Sequence, residues 1–373
     1  MTSAEYAVLG DVAAAVDLNE GEAGVLRVLR ALTVGDRQPT NVVARAARLP
    51  VPLAAAVLGE LRSRGLVDDR RPAGLTDLGR SAATALELRP VELPADGLAD
   101  LVAELEGSLG QTLEADLALD QSFATAATKV RRVLDMIAVG ALPTPSLLAV
   151  GDDDLISVTV ARVQQRLGVR LVGELVVVDV AKPILDEIRH ELGGADVDLQ
   201  LVEHDLRQPL PDQLRGRATV AMTDPPYTTQ GARLFLSRAL EGLRPGPGWD
   251  LFLHYGHKPP GPALDLQRVL GELSLVVREL RPGANRYHGA GVIGGASDAW
   301  RLEVATAARA EVSAYDGPMY TADLRNRPRH YVCAGCGLLE LVGPGQAWPM
   351  IGELKKQGCP SCGGTTFAPG QLA

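Results

Sequence analysis

Apolar and polar positions follow two different periods along the chain. From Gly21 the run GEAGVLRVLRAL repeats its apolar residues about every 3.6 positions, as an amphipathic helix does. Two more helical runs follow, NVVARAARLP from Asn41 and VPLAAAVLGELRSRGLV from Val51, and DDRRPAGLTDLGRSAATAL from Asp68 has the pattern of a hairpin. Short helices followed by a hairpin are typical of a winged helix-turn-helix domain, which we predict for residues 1–90.

The pattern changes after residues 91–143, for which we predict a Pro-containing linker and two helices. From Ser146 short apolar runs alternate with helical runs: SLLAV, ELVVVDV, DLQLVEHDL, TVAMTDPPY and WDLFLHYGHK. Such alternation predicts an α/β domain with a parallel sheet covered on both faces. LSLVVRELRP and SDAWRLEVATA predict a closing antiparallel pair, joined by the glycine-rich NRYHGAGVIGGA from Asn285. We place this domain at residues 144–325.

Composition limits the classes of function. The 373 residues suggest two or three domains, and 46% apolar with 22% charged residues excludes a wholly disordered chain. With no long apolar run and no basic leader segment, we expect a cytoplasmic protein without a membrane partner. The net charge of 37 − 46 = −9 disfavours a protein that coats nucleic acid and suits a cationic substrate.

The N-terminal region departs from this acidic balance. Residues 21–90 contain 11 Arg against 7 Asp and Glu, a local charge of +4. A nucleic-acid contact is therefore possible though not expected, and the alternative is that the winged helix serves dimerisation or substrate gating. We expect a homodimer.

Acidic residues follow four of the predicted strands. Ligands of open α/β sheets bind at the carboxyl ends of the strands, so these positions predict one site. They are Gly151-Asp152-Asp153-Asp154 after the first strand, Asp179 at the end of the second, Asp205 after the third and Asp224-Pro225-Pro226-Tyr227 at the end of the fourth. The layout is similar to that of Rossmann-like class I methyltransferase folds, where the second and third acids bind the ribose and the adenine of a nucleoside.

The first of these turns is unusually acidic. Two like charges about 4 Å apart cost roughly 1–4 kcal/mol, so Asp152, Asp153 and Asp154 would repel the carboxylate of S-adenosylmethionine. They would attract its decarboxylated form, and they would also hold the ammonium groups of a polyamine. The alternative is that Asp154 caps the following helix and the other two are solvated.

The Asp-Pro-Pro-Tyr motif is typical of enzymes that alkylate nitrogen. Asp224 and a carbonyl of Pro225 or Pro226 would accept hydrogen bonds from the attacking amine, and the Tyr227 ring would pack over it. Asp224 would also take the proton of the amine, helped by Asp152 or Asp153. The alternative is a rigid turn without a chemical role.

Together these motifs resemble the branched-chain polyamine synthases, or N(4)-bis(aminopropyl)spermidine synthases. The resemblance spans roughly residues 20–310 and rests on GDDD from Gly151, VVDV from Val177, DPPYT from Asp224, HYGHK from His254 and NRYHGAG from Asn285. It implies transfer of aminopropyl groups from decarboxylated S-adenosylmethionine to a polyamine nitrogen, with release of methylthioadenosine. It also implies amine binding by Asp152 to Asp154, ribose binding by Asp179, adenine binding by Asp205 and a nucleophile held by Asp224 and Tyr227.

Several other side chains are expected near the same sheet edge. His254, His257 and His288 with Tyr255 and Tyr287 fall in loops there, and we assign substrate binding to His257. Each is also explained by loop packing alone. Gln121 and Phe123, before the first strand, are candidates for covering the nucleoside.

Four cysteines form two close pairs near the C-terminus. They are Cys333-Ala-Gly-Cys336 and Cys359-Pro-Ser-Cys362, and each pair is followed by a glycine. This spacing predicts a zinc ribbon over residues 326–373 with a structural four-thiolate zinc, and a redox disulfide is the alternative.

Two other functions use the same features. An S-adenosylmethionine-dependent amino-methyltransferase acting on RNA or DNA fits DPPY and the accessory domains, but it conflicts with the acidic turn and the negative charge. A DNA-binding regulator that senses a nucleoside or polyamine would leave the carboxylates without a catalytic role. Aminopropyl transfer explains both motifs and is the function we predict.

Overall fold

The computed structural model describes residues 3–111, 113–288, 295–311, 313–325, 328–343 and 346–370. The chain divides into two compact units, one of residues 1–115 with 121–316 and the other of residues 116–120 with 317–373. The sequence predicts a zinc ribbon from residue 326, and the second compact unit includes residues 317–373. In the second unit, the backbone N–H and the hydroxyl of Thr321 donate to Oδ2 of Asp120, 2.8 and 2.9 Å away.

The first unit begins with a group of helices around an apolar core. In this core Leu29, Val43 and Leu58 are each at most 1% exposed. The helices that precede the sheet are α1 (Ser3–Ala15), α2 (Gly21–Leu32), α3 (Thr40–Ala47), α4 (Val51–Ser63), α5 (Asp77–Ala85), α6 (Ala99–Ser108) and α7 (Ala126–Ala138).

Two local predictions for this region need correction. Helix α1 was not predicted, and the segment from Asp68 is a hairpin only in its first part. Antiparallel bridges pair Val67 with Leu75 and Gln38 with Ala73. Helix α5 then begins because the Thr76 hydroxyl accepts a hydrogen bond from the Gly79 N–H at 3.0 Å, which caps the helix.

The helices pack onto the α/β part of the same unit through buried polar contacts. From α2, Arg27 donates to the carbonyls of Ala47 and Gly248 at 3.1 and 3.0 Å. Glu22 pairs with Arg244 at 2.8 Å. Residues 1–90 and 144–316 therefore share one compact unit.

A seven-stranded sheet forms the centre of the first unit. Its order is β3-β2-β1-β4-β5-β7-β6; the first five strands are parallel, and β7 is antiparallel to both neighbours, as predicted. The strands are β1 (Thr144–Val150), β2 (Val172–Asp179), β3 (Asp198–Glu203), β4 (Val220–Thr223), β5 (Asp250–Gly256), β6 (Leu275–Arg286) and β7 (Ala296–Val304). Residues 289–294 of the glycine-rich segment lie outside the described residues.

The strand register brings the predicted site together. Val150, at the end of β1, pairs with Val178 of β2 and with Thr223 of β4. The segments after these strands therefore leave the sheet side by side. The helices that alternate with the strands are α8 (Ile156–Leu167), α9 (Lys182–Glu191), α10 (Thr229–Gly242) and α11 (Pro260–Glu272).

The second unit is built on a small antiparallel sheet with the order β10-β8-β9. Cys333, Leu354 and Phe367 are buried in its core. Its elements are a 3-10 turn (Leu117–Leu119), α12 (Thr321–Arg325), β8 (Arg329–Cys333), β9 (Leu339–Val342), α13 (Ile351–Gln357) and β10 (Phe367–Pro369).

Within the described ranges, no single helix is both long and apolar enough to span a membrane, and α3 with α4 pass that test only jointly, across a 104° bend.

Candidate active site

Gly151 turns the chain out of β1 and into the acidic segment. Its φ is +71°, and a Cβ at this position would lie 2.9 Å from Cε1 of Phe235. Its N–H donates to the Val178 carbonyl at 2.8 Å, which ties the turn to β2. A side chain here would be both strained and obstructed, so the tight turn requires glycine.

Asp152 caps helix α8. Its two carboxylate oxygens accept hydrogen bonds from the N–H groups of Ile156 and Ser157 at 2.8 and 3.0 Å, and it is 2% exposed. Burial raises its pKa to about 7. The sequence alternative gave the cap to Asp154, whereas Leu155 occupies the N-cap position and the carboxylate of Asp152 accepts from the first turn. Each oxygen thus holds an N–H of the first turn of α8, and this buried carboxylate shapes the turn.

Asp154 belongs to a buried ion-pair group centred on Arg132 of α7. Arg132 is 3% exposed and donates to Oδ2 of Asp154 at 2.6 Å and to Oδ2 of Asp224 at 2.9 Å. The other oxygen of Asp154 accepts the Ala124 N–H at 2.5 Å. Asp154 therefore has its oxygens committed to the protein, like Asp152.

Tyr287 completes the support of Asp224. Its hydroxyl donates to Oδ2 of Asp224 at 2.7 Å and accepts from Arg132 at 2.7 Å. Ser297 lies 2.8 Å from the same hydroxyl and accepts from the Asn285 amide at 2.8 Å. The two donors on one oxygen fix the rotation of the Asp224 carboxyl group.

His254 lies beneath this network instead of in a loop over the substrate. It is 7% exposed, and its Nδ1 is 3.2 Å from the Asn285 amide nitrogen. Burial, followed by the charges of Arg132 and other arginines, lowers the pKa of His254 well below its usual value. The neutral ring can therefore accept at Nδ1 from the amide.

Asp153 and Asp224 keep oxygens that the described part of the chain does not bind. Oδ2 of Asp153 accepts only a long hydrogen bond from the Ser122 N–H at 3.4 Å, and Oδ1 of Asp224 is bonded to no described residue. Burial, followed by repulsion from Asp154, raises the pKa of Asp153 well above its usual value. Burial also raises the pKa of Asp224 to about 7, although Arg132 opposes the shift. Asp224 can therefore exchange a proton near neutral pH, and Asp153 holds a proton more tightly than an ordinary carboxyl does.

Tyr227 forms an aromatic pair next to this group. Its ring centroid is 6.1 Å from that of Tyr255, and Nζ of Lys258 lies 5.3 and 5.2 Å from the two centroids. Pro225 and Pro226 are buried. The Pro226 carbonyl accepts the Thr228 N–H at 2.8 Å, so one of its lone pairs is already used.

The two residues expected to bind the nucleoside lie at neighbouring strand ends. Asp179 is the last residue of β2, is 6% exposed, and accepts the N–H groups of Ala181 and Asp152 at 2.7 and 2.9 Å. Asp205 follows β3, accepts the Arg207 N–H at 2.9 Å, and its side chain is 41% exposed. Both carboxylates retain lone pairs for a ligand hydroxyl or amine.

The other residues that the sequence predicts near this sheet edge differ in how far they are buried. The His257 side chain is 81% exposed and its Nδ1 lies 3.8 Å from Asp298, so the structure places it at the surface. His288 is half exposed and lies 3.2 Å from Glu106. Gln121 is buried, and Phe123 lines a cavity that Asp153 also lines.

Comparison with known proteins decides the family. The family model for the branched-chain polyamine synthase A C-terminal domain matches residues 111–326. The chain belongs to the branched-chain polyamine synthase family. The resemblance predicted from GDDD and DPPYT is thereby confirmed, and so is the prediction of an enzyme of this family.

Individual relatives align with most of the length of this chain. An uncharacterized protein of Methanocaldococcus jannaschii is 32% identical over 90% of this chain and 87% of its own. The N(4)-bis(aminopropyl)spermidine synthase of Thermococcus kodakarensis is 28% identical over 68% and 74%. The branched-chain polyamine synthase C9 mutein from Thermus thermophilus, solved with N4-aminopropylspermidine and 5'-methylthioadenosine, is 25% identical with a TM-score of 0.53, covering 86% of this chain and 97% of that one.

The cysteine cluster lies outside the match to the synthase family model. Sγ atoms of Cys333 and Cys362 are 3.6 Å apart, as are those of Cys336 and Cys359, and all four lie within 4.8 Å of one another. The Gly335 N–H donates to the Cys333 sulfur at 3.4 Å. The four cysteines are free thiols brought together by the second unit.

Sequence reasoning missed the cation at the centre of the candidate site. Arg132 lies on the same helical stripe as Lys129, Val133 and Met136, which are all buried. A charged residue at an apolar position of an amphipathic helix was the available signal, because such a charge needs a buried partner. Tyr287 was named, but its contact with Asp224 joins distant segments and could not be inferred.

Proposed function

We propose that this protein transfers aminopropyl groups from decarboxylated S-adenosylmethionine to an amine nitrogen of a spermidine-like polyamine, giving a branched polyamine and methylthioadenosine. The single observation that carries the proposal is the hydrogen bonding of the Asp224 carboxyl group. Its Oδ2 is held by Arg132 and Tyr287, while its Oδ1 remains for a ligand at the end of β4. The names of the relatives from Thermococcus kodakarensis and Thermus thermophilus support the same chemistry.

The reaction is a substitution at the carbon that joins the aminopropyl group to the sulfonium sulfur. The lone pair of the amine nitrogen forms the new C–N bond while the C–S bond breaks. The bonding electron pair goes to sulfur, so methylthioadenosine leaves as a neutral thioether. The nitrogen loses one proton, which Oδ1 of Asp224 accepts and later releases to water.

The geometry narrows the roles of the acidic residues. Asp224 and Asp153 are the groups that would hold and deprotonate the amine, since their oxygens are available. The Tyr227 ring, next to Tyr255, would stabilise the positive charge on the sulfonium and nitrogen. Asp179 would bind the ribose and Asp205 the adenine. Asp152 and Asp154 would be positioning residues, because each is 2% exposed and has both carboxylate oxygens bonded within the protein.

Methyl transfer to RNA or DNA is the competing function, and the surface of α4 disfavours sequence-specific binding to duplex DNA. As the second helix of the predicted helix-turn-helix, α4 would enter the major groove. Its exposed face has little capacity for hydrogen bonds to base edges. That face consists of Val51, Pro52, Ala55, Ala56, Gly59 and Ser63. Because sequence is read by such hydrogen bonds, this helix is poorly suited to the task.

A donor comparison tests the function. The full-length protein would be incubated with S-adenosylmethionine or its decarboxylated form and a panel of linear polyamines, and the products analysed by mass spectrometry. We expect methylthioadenosine and products heavier by one or two aminopropyl groups, with the decarboxylated donor only. Methylated products, or tighter calorimetric binding of the carboxylate-bearing donor, would reject aminopropyl transfer.

We also propose that the four cysteines hold one structural zinc ion. A tetrahedral site with Zn–S bonds of about 2.3 Å places its sulfurs roughly 3.8 Å apart, and the two 3.6 Å pairs approach this spacing. Cys333, Cys336, Cys359 and Cys362 would be the ligands. Four protein thiolates leave no open coordination position, so the metal would stabilise the fold of the second unit and take no part in transfer.

Metal analysis of the full chain checks the zinc site. We expect one zinc per chain, and at least tenfold lower occupancy in Cys336→Ser and Cys359→Ser. Ser361→Ala, within the second cysteine pair, changes no ligand and should retain the metal. Cobalt substitution should give the absorption of a tetrahedral thiolate site. Full zinc occupancy in both cysteine variants would show that the metal binds elsewhere.

The remaining assignments concern the N-terminal region, the oligomeric state and the cellular compartment. The helices α2 to α4 followed by the bridged hairpin support a winged helix in residues 1–90. We propose that this region mediates a homodimer, which light scattering of the full-length protein would test. Four free thiols suit a reducing compartment, in agreement with a cytoplasmic protein.

A further inference from the structure

Helix α7 carries a second buried cation, Lys129, one turn before Arg132. Arg132 pairs with Asp154 and Asp224, whereas Lys129 has no carboxylate at ion-pair distance and no hydrogen-bond acceptor for its ammonium within the described residues. Its side chain is nevertheless buried, with 5% exposure. Lysine is almost never fully buried without a partner, so this position calls for an explanation.

Lys129 lines a cavity of about 230 Å³ together with Asp153, Phe123, Glu106 and His288. Glu106 is committed within the protein, because its two oxygens contact the Ala126 N–H at 2.9 Å and the His288 ring at 3.2 Å. Asp153 and Lys129 are then the charged groups of the cavity that retain bonding capacity. At roughly 30 Å³ per water molecule, the cavity has room for several solvent-sized groups, or for one arm of a linear amine.

The acidic turn after β1 surrounds Lys129 with negative charge. Burial lowers the pKa of Lys129, and the negative charges of Asp154, Asp152 and Asp153 oppose that shift. In its protonated form, Lys129 is an ammonium group of the protein itself in the negative field of the acidic turn. A second ammonium close to it would be repelled, since repulsion between like charges is strongest where water is excluded.

We propose that Lys129 limits the length of the acceptor by acting as a resident ammonium in the cavity that Asp153 also lines. It disfavours an acceptor whose longer arm would bring a further ammonium group into this cavity. The proposal rests on the proposed function and specifies its substrate. A cavity lined by carboxylates alone would accept one more charged nitrogen of a linear polyamine than this cavity, which already contains Lys129. A linear triamine is therefore preferred over a linear tetraamine extended by one aminopropyl unit.

The test compares kcat/KM for a linear triamine and that tetraamine in wild-type protein and Lys129→Met. Methionine keeps an unbranched buried side chain and removes the charge. We expect the triamine preference of the wild type to fall by about tenfold or more, through a lower KM for the tetraamine. Lys129→Gln should do the same, whereas Lys129→Arg, which keeps the charge, should retain the wild-type preference. Lys182→Met, at an exposed lysine of α9, is the matched control.

Binding measurements separate this proposal from the proposed function. If wild-type protein transfers no aminopropyl group to any amine, the proposed function fails. Calorimetry of the two amines with methylthioadenosine present still tests Lys129. A triamine-to-tetraamine affinity ratio that agrees within twofold among wild type, Lys129→Met and Lys129→Gln, all folded by thermal melting, would overturn the specificity role. The specificity role would also be overturned if Lys129→Arg changed the triamine-to-tetraamine affinity ratio as much as Lys129→Met does. The charge at position 129 would then have no effect on the ratio.

Discussion

Two buried arginines of the first unit, Arg132 and Arg238, show what separates a structural charge cluster from a reactive one. Arg238 is 0% exposed, pairs with Glu241, and donates to the carbonyls of Leu206, Arg207, Glu311 and Ser313. Arg132 is also buried, but it faces carboxylates of Asp154 and Asp224 with Asp153 close by.

The difference lies in the balance of charge. Around Arg238 the one carboxylate, that of Glu241, meets two guanidinium groups, because Nε of Arg215 also lies 3.4 Å from it, and neutral carbonyls accept from the remaining N–H groups of Arg238. Around Arg132 the acids outnumber the paired cation, and the pKa of Asp224 rises to about 7. The comparison teaches that burial alone does not make a site. Unmatched negative charge at the sheet edge gives the second cluster carboxyls that can bind cations and exchange protons near neutral pH.

Removing one acid from each cluster should separate the two roles most strongly. In Asp224→Asn, the side-chain oxygen must turn toward the donors Arg132 and Tyr287, which leaves an NH₂ group facing the amine. We expect a roughly 10²–10⁴-fold loss of kcat with nucleoside binding retained. Glu241→Gln, in the Arg238 cluster, should lower stability with little change in kcat.

Rapid-quench turnover and methylthioadenosine binding by calorimetry would measure both variants. Asp186→Asn, at an exposed acid of α9, is a control for the charge change itself. Turnover of Asp224→Asn within a few-fold of wild type would show that another group orients and deprotonates the amine.

Replacing either arginine should lower the free energy of unfolding, which allows the two clusters to be compared in stability. Arg132→Met leaves Asp154 and Asp224 buried without their cation, and breaking such a pair costs about 3–5 kcal/mol of unfolding free energy. Asp154→Asn added to Arg132→Met should recover part of that loss, because it removes one of the stranded charges. Arg238→Met should cost a similar amount.

Denaturant unfolding measures these losses, and kinetics distinguish their consequences. In protein that remains folded, Arg132→Met should also lower kcat because Asp224 loses its orientation, whereas Arg238→Met should mainly affect stability. Equal kcat in the two arginine variants would mean that Arg132 has only the structural role of Arg238.

The strands and turns that position this site are well predicted by the sequence. The alternation of apolar strands and helices is a local pattern, and it places the ends of β1, β2 and β4 together without any knowledge of contacts. The positions of Asp179 and Asp224 at strand ends follow from that pattern. Gly151 was also predictable as a turn residue, and its φ of +71° agrees.

The division of roles within the site could not be read in the same way. Asp152 and Asp154 are close neighbours in sequence, yet one caps α8 and the other pairs with Arg132. Which of them faces which partner depends on how α7 packs against the turn. Tyr287 reaches Asp224 only after β6 has paired with β7, which is a contact between distant segments.

The pH dependence of stability provides the smallest expected effect and the most direct test of the charge imbalance. The pKa of Asp224 is about 7 in the folded protein against an ordinary 3.8, with burial as the main cause. Between these values the folded state binds more protons at Asp224 than the unfolded state does. Its contribution to the unfolding free energy therefore falls as pH rises from about 4 to 7, by at most about 1.4 kcal/mol per pH unit.

Asp224→Asn removes this titration, so the variant should lose less stability than wild type as pH rises through that window. Asp186→Asn is the control, because hydrogen bonds from Lys182 hold the pKa of Asp186 below its ordinary 3.8. Asp186 is therefore ionised in both states across this window, and the slope of the variant should match that of wild type. Urea unfolding at pH 4.5, 6 and 7.5 would measure the three slopes. Parallel slopes for wild type and Asp224→Asn would mean that Arg132 neutralises Asp224 as fully as Arg238 neutralises Glu241, and the contrast between the two clusters would disappear.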